Sequence, residues 1–228
     1  MVALVLITSA AIGALIYRNV EAFAIPRALA RIDLNVRVLA TILDGALGGV
    51  PTDVKTQGRG VRGLVAAHIA GGVHPLDGTS EAAWRKRIAS RFVAELKAKP
   101  AYMQYRLVGL ADGGREIVRV DRRGLGGAIR IAPDAELRTV GDRKDFKAAM
   151  ALPPGRTYVS PITFASAAPA VDAAQIPLLE VAAPVFADDG TPFGFLAIAV
   201  DLRPAFMAVR ASAPVDAPVY LVGEYGRY

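Results

Sequence analysis

The spacing of apolar residues changes at Pro100, and this change decides which fold classes are open to the chain. Upstream of Pro100, apolar residues recur every three or four positions, as in amphipathic helices. Downstream they alternate with polar residues, which predicts strands at about 102–110, 115–121, 127–132, 156–160, 178–187 and 193–201. Between these strands a short helix, with Asp142 as its cap, is predicted at about 142–151. The segments between these strands are too short for parallel crossovers. The sequence therefore predicts an α+β fold in which helices precede an antiparallel sheet.

The N-terminal segment Met1–Tyr17 carries no charged side chain. As a helix it would span about 25 Å, slightly less than the hydrocarbon core of a bilayer. Two interpretations are open: a transmembrane anchor, or the apolar part of a signal peptide cleaved near Ala22-Phe23-Ala24. The length of the segment and the absence of a positive stretch before it favour an anchor at residues 1–17.

A long helix is predicted from Arg27 to about Leu47, within a helical region that covers residues 18–100. Its apolar residues fall on one face at spacings of three and four, and this seam consists of Leu29, Ile32, Val36, Leu39, Leu43 and Ala46. The seam is too short to establish a coiled coil. The helix therefore either packs on its own domain or also pairs with a second copy of the chain.

The remaining helical segments are separated by turn residues. Pro51, Gly58 and Gly60 predict a loop over residues 50–60, followed by a short helix. Ser80 or Thr79 is expected to cap the helix that Pro100 ends.

The composition excludes several kinds of chemistry. The chain has no cysteine, and its two histidines, His68 and His74, do not have the spacing of a helical metal pair. Gly58, Gly60 and Gly63 match a dinucleotide-binding spacing, but no strand precedes them. Neither a nucleophile–base pair nor a pair of catalytic carboxylates is recognisable. No cofactor, no metal site and no catalytic residue is predicted.

The net charge of +6 does not by itself indicate a nucleic-acid partner. The arginines are scattered and interleaved with acidic residues, and they form no continuous basic run. We therefore expect no binding to nucleic acid.

Two arginines occupy the middle of the predicted hairpin around Asp112-Gly113-Gly114. If Asp112-Gly113 is the loop, Arg106 lies opposite Arg119; if Gly113-Gly114 is the loop, Arg106 faces Asp121. In both registers these three side chains share one face. A three-residue loop would disturb this arrangement unless a β-bulge restored the alternation of side chains. The face is either solvated, as in many antiparallel sheets, or forms a positive pocket wall that binds an anion.

Six segments occur in an order that resembles a known family. They are HPLDGTSEAAWRKRIASRFVAELKAKPAYMQYRLVG, GGREIVRVDR, ELRTVGDRKDF, TYVSPITF, VAAPVFADDGTPFGFLAIAVDL and PVYLVGEYGRY. Together they resemble the extracytoplasmic double-Cache (PAS-like) sensor region of bacterial sensor histidine kinases, diguanylate cyclases and chemoreceptors. The resemblance implies a membrane helix, a long helix, and a membrane-distal lobe at residues 101–210 with a five-stranded antiparallel sheet flanked by helices. Residues 211–228 would then begin a second lobe.

The resemblance also implies a ligand site between the sheet and the loops above it. Arg143 and Phe146 match an RxxF-like segment of the family, whereas Asp145 and Thr163 depart from the residues of its amino-acid-binding members. The departures favour a small carboxylate, another anion, or no direct ligand. The candidate ligand-binding residues are Arg106, Arg119, Asp121, Arg143, Asp145, Phe146, Tyr158, Ser160 and Thr163.

These observations lead to an expected function. We expect a periplasmic small-ligand sensor domain, held at the bacterial inner membrane, that serves as the input region of a sensor histidine kinase or diguanylate cyclase. A homodimer through the long helix is expected, and no enzyme activity in this chain. The alternatives are a secreted or anchored hydrolase-like enzyme, or a module that binds a partner protein.

Overall fold

The computed structural model describes residues 2–123, 126–166, 175–213 and 219–220. It begins with α1 (Val2–Asn19), which continues through a π-helical turn (Val20–Ala24) into α2 (Ile25–Leu47). In the part of the chain that the structure describes, none of the helices combines the length and the apolar character that crossing a membrane requires. The membrane anchor predicted at residues 1–17 is therefore not confirmed.

Three further helices precede the sheet: α3 (Val50–Arg59), α4 (Arg62–Ile69) and α5 (Glu81–Ala98). The prediction of a loop over residues 50–60 is wrong, because this segment is α3. Val50, Val54 and Gln57 lie on one buried face of α3, and that burial outweighs the low helix propensity of its proline and glycine. The cap predicted for α5 is confirmed, since the Ser80 hydroxyl accepts a hydrogen bond from the Ala83 N–H at 3.3 Å.

Two glycines let α5 approach the junction of α3 and α4. A Cβ atom at Gly63 would lie 2.3 Å from the Trp84 ring, and one at Gly60 would lie 2.2 Å from a guanidinium nitrogen of Arg91. These glycines of the GxGxxG spacing therefore have a packing role.

The sheet is antiparallel throughout its described pairs, as predicted. Among the described residues it contains seven strands in the order β3-β2-β1-β7-β6-β4, with β5 also paired to β6. The strands are β1 (Tyr102–Gly109), β2 (Glu116–Arg122), β3 (Ile129–Ile131), β4 (Tyr158–Val159), β5 (Thr163–Ser166), β6 (Gln175–Phe186) and β7 (Pro192–Asp201).

The expected number of five strands is wrong because both outer edges carry extra short strands. The 12-residue strand β6 is long enough for β5 and β4 to pair with successive parts of its outer edge. At the opposite edge, β3 adds to β2.

The β1–β2 connection is longer than the predicted two-residue loop. It contains a helical turn, α6 (Ala111–Gly114), and the register shifts between Leu107 and Val108. The irregularity restores the pairing that the first predicted register requires, so Arg106 lies opposite Arg119.

Helices cover both faces of the sheet. On one face α3, α4 and α5 bury the main apolar core, which includes Phe92 and Tyr105 stacked at 4.9 Å between ring centroids. On the other face α7 (Lys144–Met150), the helix predicted at about 142–151, packs on β6 and β7. After β7 the chain forms α8 (Arg203–Ser212), which packs against α2.

The predicted start of a second lobe at residues 211–228 falls mostly outside the described residues, because 214–218 and 221–228 are not among them. That assignment, and the division at residues 100 and 210, stay predictions.

Candidate functional site

Two arginines lie opposite each other on the face of the sheet that carries α7. Arg106 of β1 pairs with Arg119 of β2, and only 4% of Arg106 and 5% of Arg119 is exposed. The face is therefore not a solvated outer surface. Buried guanidinium groups side by side require negative partners.

The partner of Arg106 is a carboxylate two strands away. Glu180 of β6 contacts the Nη2 atom of Arg106 with both of its carboxylate oxygens. The strand between them places Ala197 opposite Arg106, and this small side chain leaves the guanidinium group room to cross β7. The Phe195 ring lies 5.9 Å from the guanidinium carbon, within the range of a cation–π interaction.

The partners of Arg119 come from its own strand and from the segment after β3. Its Nη1 atom donates to the carboxylate of Glu116 at 2.8 Å and to the backbone carbonyl of Glu136 at 2.9 Å. Its Nε atom donates to Asp121 at 3.2 Å. Glu116 is only 2% exposed, and it also accepts the backbone N–H of Arg138 at 2.9 Å. This carboxylate is thus held by both a charge and a backbone donor.

A third cation completes the arrangement. Arg130 of β3 lies 2.7 Å from Glu136 and 3.5 Å from Asp121, and the hydrogen bond from Arg130 lowers the pKa of Glu136 below its ordinary value. Four carboxylates thus face three guanidinium groups, so these groups together carry one net negative charge. We call this set the charge network; it consists of Arg106, Arg119, Arg130, Glu116, Asp121, Glu136 and Glu180.

A second polar group joins α7 to β4. Arg143 lies 2.7 Å from Asp145, whose carboxylate also accepts a hydrogen bond from the Tyr158 hydroxyl at 3.3 Å. Burial raises the pKa of Tyr158, with further contributions from Asp145 and then Glu180. Because Glu180 acts on Tyr158, this group adjoins the charge network. Phe146 lies beneath it, packed edge-on against Phe195 at 5.5 Å.

The last two predicted site residues have different positions. Ser160 is buried and fixes the backbone of Glu180: its hydroxyl accepts the Glu180 N–H at 3.0 Å, and its own N–H donates to the Glu180 carbonyl at 2.8 Å. Thr163 is exposed on β5, opposite Leu178. Eight of the nine predicted residues therefore lie in or beside the charge network and the α7–β4 group, and Thr163 lies apart.

The charge network leaves two buried donors unused. The Nε atoms of Arg106 and Arg130 are buried and have no hydrogen-bond partner among the described residues. Buried donors normally find an acceptor, so these two nitrogens leave the hydrogen bonding of the charge network incomplete. Within the same part of the chain, no cluster of three or more acidic or histidine side chains is arranged to hold a metal ion.

The sequence analysis missed three carboxylates of the charge network: Glu116, Glu136 and Glu180. Glu180 carries a detectable signal, because it is the only charged residue of β6. Its pairing with Arg106 depends on the order of β1, β7 and β6, which the sequence pattern does not reveal.

Comparison with known proteins bears on the fold. No protein-family model matches the chain, and no curated protein matches it. Among solved structures it is similar to a domain of a sensory box/GGDEF family protein from Vibrio parahaemolyticus, with 18% identity and a TM-score of 0.56 over 84% of this chain and 64% of that one. It is also similar to the extracellular domain of a protein named as a histidine kinase, with 19% identity and a TM-score of 0.55 over 85% of this chain and 62% of that one.

A third similar structure is named methyl-accepting chemotaxis protein X. It shares 12% identity and a TM-score of 0.56 over 83% of this chain and 69% of that one. At these identities the likeness concerns the fold, and the chain has the fold of these sensory and extracellular domains, as the resemblance implied. It spans less than two thirds of the length of the first two.

Proposed function

We propose that the chain is an extracytoplasmic sensor domain that binds a small polar ligand and contributes to transmembrane signal transduction. Its shared fold with sensory and extracellular domains supports this proposal. The observation that carries it is the buried charge network under α7, with unused donors on Arg106 and Arg130. A histidine kinase or diguanylate cyclase as the output, and the lack of catalysis in this chain, belong to the same proposal.

The charge balance narrows the class of ligand. Because protein carboxylates already neutralise Arg106 and Arg119, these two arginines do not form an uncompensated positive wall for a simple anion. A ligand with an acceptor for the Nε atom of Arg106 and a positive or neutral donor for Glu180 complements the network better. Small molecules that carry both an amine and a carboxylate, or neutral polar molecules, meet this requirement.

A path for the signal leads from β7 to the long helix. β7 carries Phe195 and Ala197 on the face of the sheet that carries the charge network, and it ends at Asp201. The buried carboxylate of Asp201 accepts the backbone N–H of Arg203, at the start of α8, at 2.8 Å. α8 packs against α2. A ligand that favours one position of β7 would therefore shift α8 and, through it, α2.

We also propose that α2 pairs with the α2 of a second copy. Leu29, Ile32 and Val36 of the predicted seam are 60%, 58% and 57% exposed, and they share one helix face. An apolar face of this kind, at coiled-coil spacing, is stabilised by pairing.

Cysteine crosslinking tests the pairing. The chain has no cysteine, so Val36→Cys introduces a single thiol, and Arg37→Cys provides a matched control one position round the helix. We expect oxidation to crosslink the Val36 variant faster. Equal crosslinking of the two variants would mean that the seam does not form the dimer contact.

A ligand screen tests the sensor function. Thermal unfolding of the wild-type chain is followed with a panel of amino acids, simple amines, monocarboxylates and dicarboxylates. A ligand present at 100 times its Kd should stabilise the chain by about 2.7 kcal/mol, which corresponds to a rise in Tm of roughly 5–11 °C.

The same screen is repeated on Glu180→Gln, on the half-exposed Arg143→Gln, and on the exposed control Arg210→Gln. Loss of a charged partner should weaken binding about 10–100-fold in the first variant but not in the control. Arg143→Gln takes the place of Glu180→Gln as the test variant if Glu180→Gln does not fold. If no compound shifts the wild type, or if all three variants respond like it, the proposed site is wrong.

A further inference from the structure

A separate cavity of about 720 Å³ lies beside the turn between β6 and β7. One wall is formed by α3 and the start of α4, and the other by residues 183–188 and Gly190. Pro154 and Gly155 close a third side. The cavity shares no lining residue with the charge network, so it is a different site. Its volume is within the range of cavities that hold small organic molecules.

The α3 wall is strongly basic. Lys55, Arg59 and Arg62 line the cavity, and none of them has a salt bridge or side-chain hydrogen bond to another described residue. Lys55 and Arg59 are four positions apart on α3, a spacing at which like charges repel each other. By contrast, Arg85 and Arg203 each have a carboxylate partner. The cations of this wall are thus uncompensated.

One acidic side chain lines the same cavity. Asp188, in the β6–β7 turn, is exposed and has no cationic partner among the described residues. Among the described residues that line the cavity, three positive groups and one negative group leave an excess of two positive charges. A cavity with this balance concentrates anions, and it favours ligands with at least two negative charges.

The β6 wall argues for a small molecule rather than an added peptide strand. β4 pairs with β6 only at Val181 and Ala182, so the next residues of this outer strand line the cavity. Pro184 lies in this stretch, and its lack of an N–H disfavours the addition of a strand. The cavity therefore offers positive side chains to a small molecule, but its β6 wall is poorly suited to pair with an added peptide strand.

We propose that this cavity is a second ligand site, which binds a small organic polyanion bearing two or more carboxylate or phosphate groups. Lys55, Arg59 and Arg62 supply the donors, and the guanidinium groups suit bidentate contacts with either kind of oxyanion. Arg62 also lines an adjoining cavity of about 250 Å³, where Val65 and Ile69 are apolar and Asp188 and Asp189 are acidic. An uncharged, apolar part of the ligand can extend there, whereas its negative groups stay beside the α3 wall. The inference does not depend on the sensor function.

Titration calorimetry at low salt tests this site with citrate as the carboxylate probe and adenosine 5′-diphosphate as the phosphate probe. The test variant carries Lys55→Gln, Arg59→Gln and Arg62→Gln. A control variant loses the same charge at exposed positions elsewhere, through Lys86→Gln, Lys97→Gln and Arg210→Gln. Circular dichroism establishes that both variants fold.

We expect at least one probe to bind the wild type with a Kd below about 1 mM and the test variant about 10–100-fold more weakly, with the control close to wild type. Arg143→Gln, at a half-exposed position of the α7–β4 group, should bind the probe normally, which separates this site from the sensor site. The proposal is overturned if neither probe binds the wild type, or if the test and control variants weaken equally. Equal weakening would mean attraction to net charge alone.

Discussion

Replacing Arg119 by glutamine distinguishes the two ways in which buried arginines can affect stability. If Arg106 and Arg119 mainly repel each other, Arg119→Gln should stabilise the ligand-free domain. If the carboxylates of the charge network instead compensate both arginines, the same change removes the nearest cation from Glu116, whose side chain is 2% exposed. The domain should then be destabilised. The sign of the change in unfolding free energy therefore decides between the two.

The structure sets the expected magnitude. Removing one partner of a buried ion pair costs about 3–5 kcal/mol, because it leaves the other charge without compensation. Glu116 keeps the backbone N–H of Arg138 at 2.9 Å, and Arg106 stays 4.0 Å away. These remaining contacts favour the lower end, about 3 kcal/mol. For a chain of 228 residues this corresponds to a fall in Tm of roughly 6–12 °C.

Urea unfolding of the ligand-free chain measures this effect. Circular dichroism reports on the helices, and the fluorescence of Trp84, the single tryptophan, reports on the packing of α5. Arg210→Gln removes an exposed arginine and should change the free energy of unfolding by less than about 0.5 kcal/mol. Adding Glu116→Gln to Arg119→Gln completes a double-mutant cycle, in which we expect a favourable coupling energy.

One set of results would refute the reasoning. If Arg119→Gln leaves stability unchanged or raises it, or if the cycle shows no coupling, the carboxylates do not compensate the arginines. The positive pair would then be available for a simple anion, as one interpretation of the hairpin sequence proposed.

Two further predictions concern the packing around α3 and α5. Burial, and then a hydrogen bond to Asp53, raise the pKa of Tyr102 above the ordinary tyrosine value of 10.0. The stability that this raised pKa contributes is therefore present below about pH 10 and is lost as the pH rises towards the higher folded-state value. Tyr102→Phe should reduce this alkaline loss in unfolding experiments, and an identical pH profile would contradict it. Gly63→Ala should push the Trp84 ring aside, which costs about 1–3 kcal/mol of stability and shifts the Trp84 fluorescence. The better helix propensity of alanine offsets up to about 1 kcal/mol of this cost. Unchanged emission and stability would show that the ring has room.

Local patterns predicted most of the elements correctly. The alternation after Pro100 predicted the antiparallel strands, and the Ser80 cap marked the start of α5. Such signals lie within a few residues of each other, so they can be recognised without the fold. The same signals failed over residues 50–60, where α3 is helical because its apolar residues are buried against the sheet.

The candidate site, like the fold, was predicted only in part from local patterns. The period of two along a strand placed Arg106, Arg119 and Asp121 on one face, and the pairing of Arg106 with Arg119 matches one of the two predicted registers. The five strands implied by the family resemblance were too few. The alternation itself predicted β3 and β4, and among the described strands it missed only β5, because the pairing of β5 beside β4 depends on the length of β6 in the folded sheet.

The sequence alone therefore determined that two arginines share a strand face, because the direction of a side chain follows from the local backbone. Only the tertiary structure decided what those arginines contact. Glu180 is 74 positions from Arg106 and reaches it because β7 separates their strands and presents Ala197 between them. The charge of a buried site depends on such distant partners, since a guanidinium group in a protein interior is stabilised by whichever carboxylate the strand order brings to it.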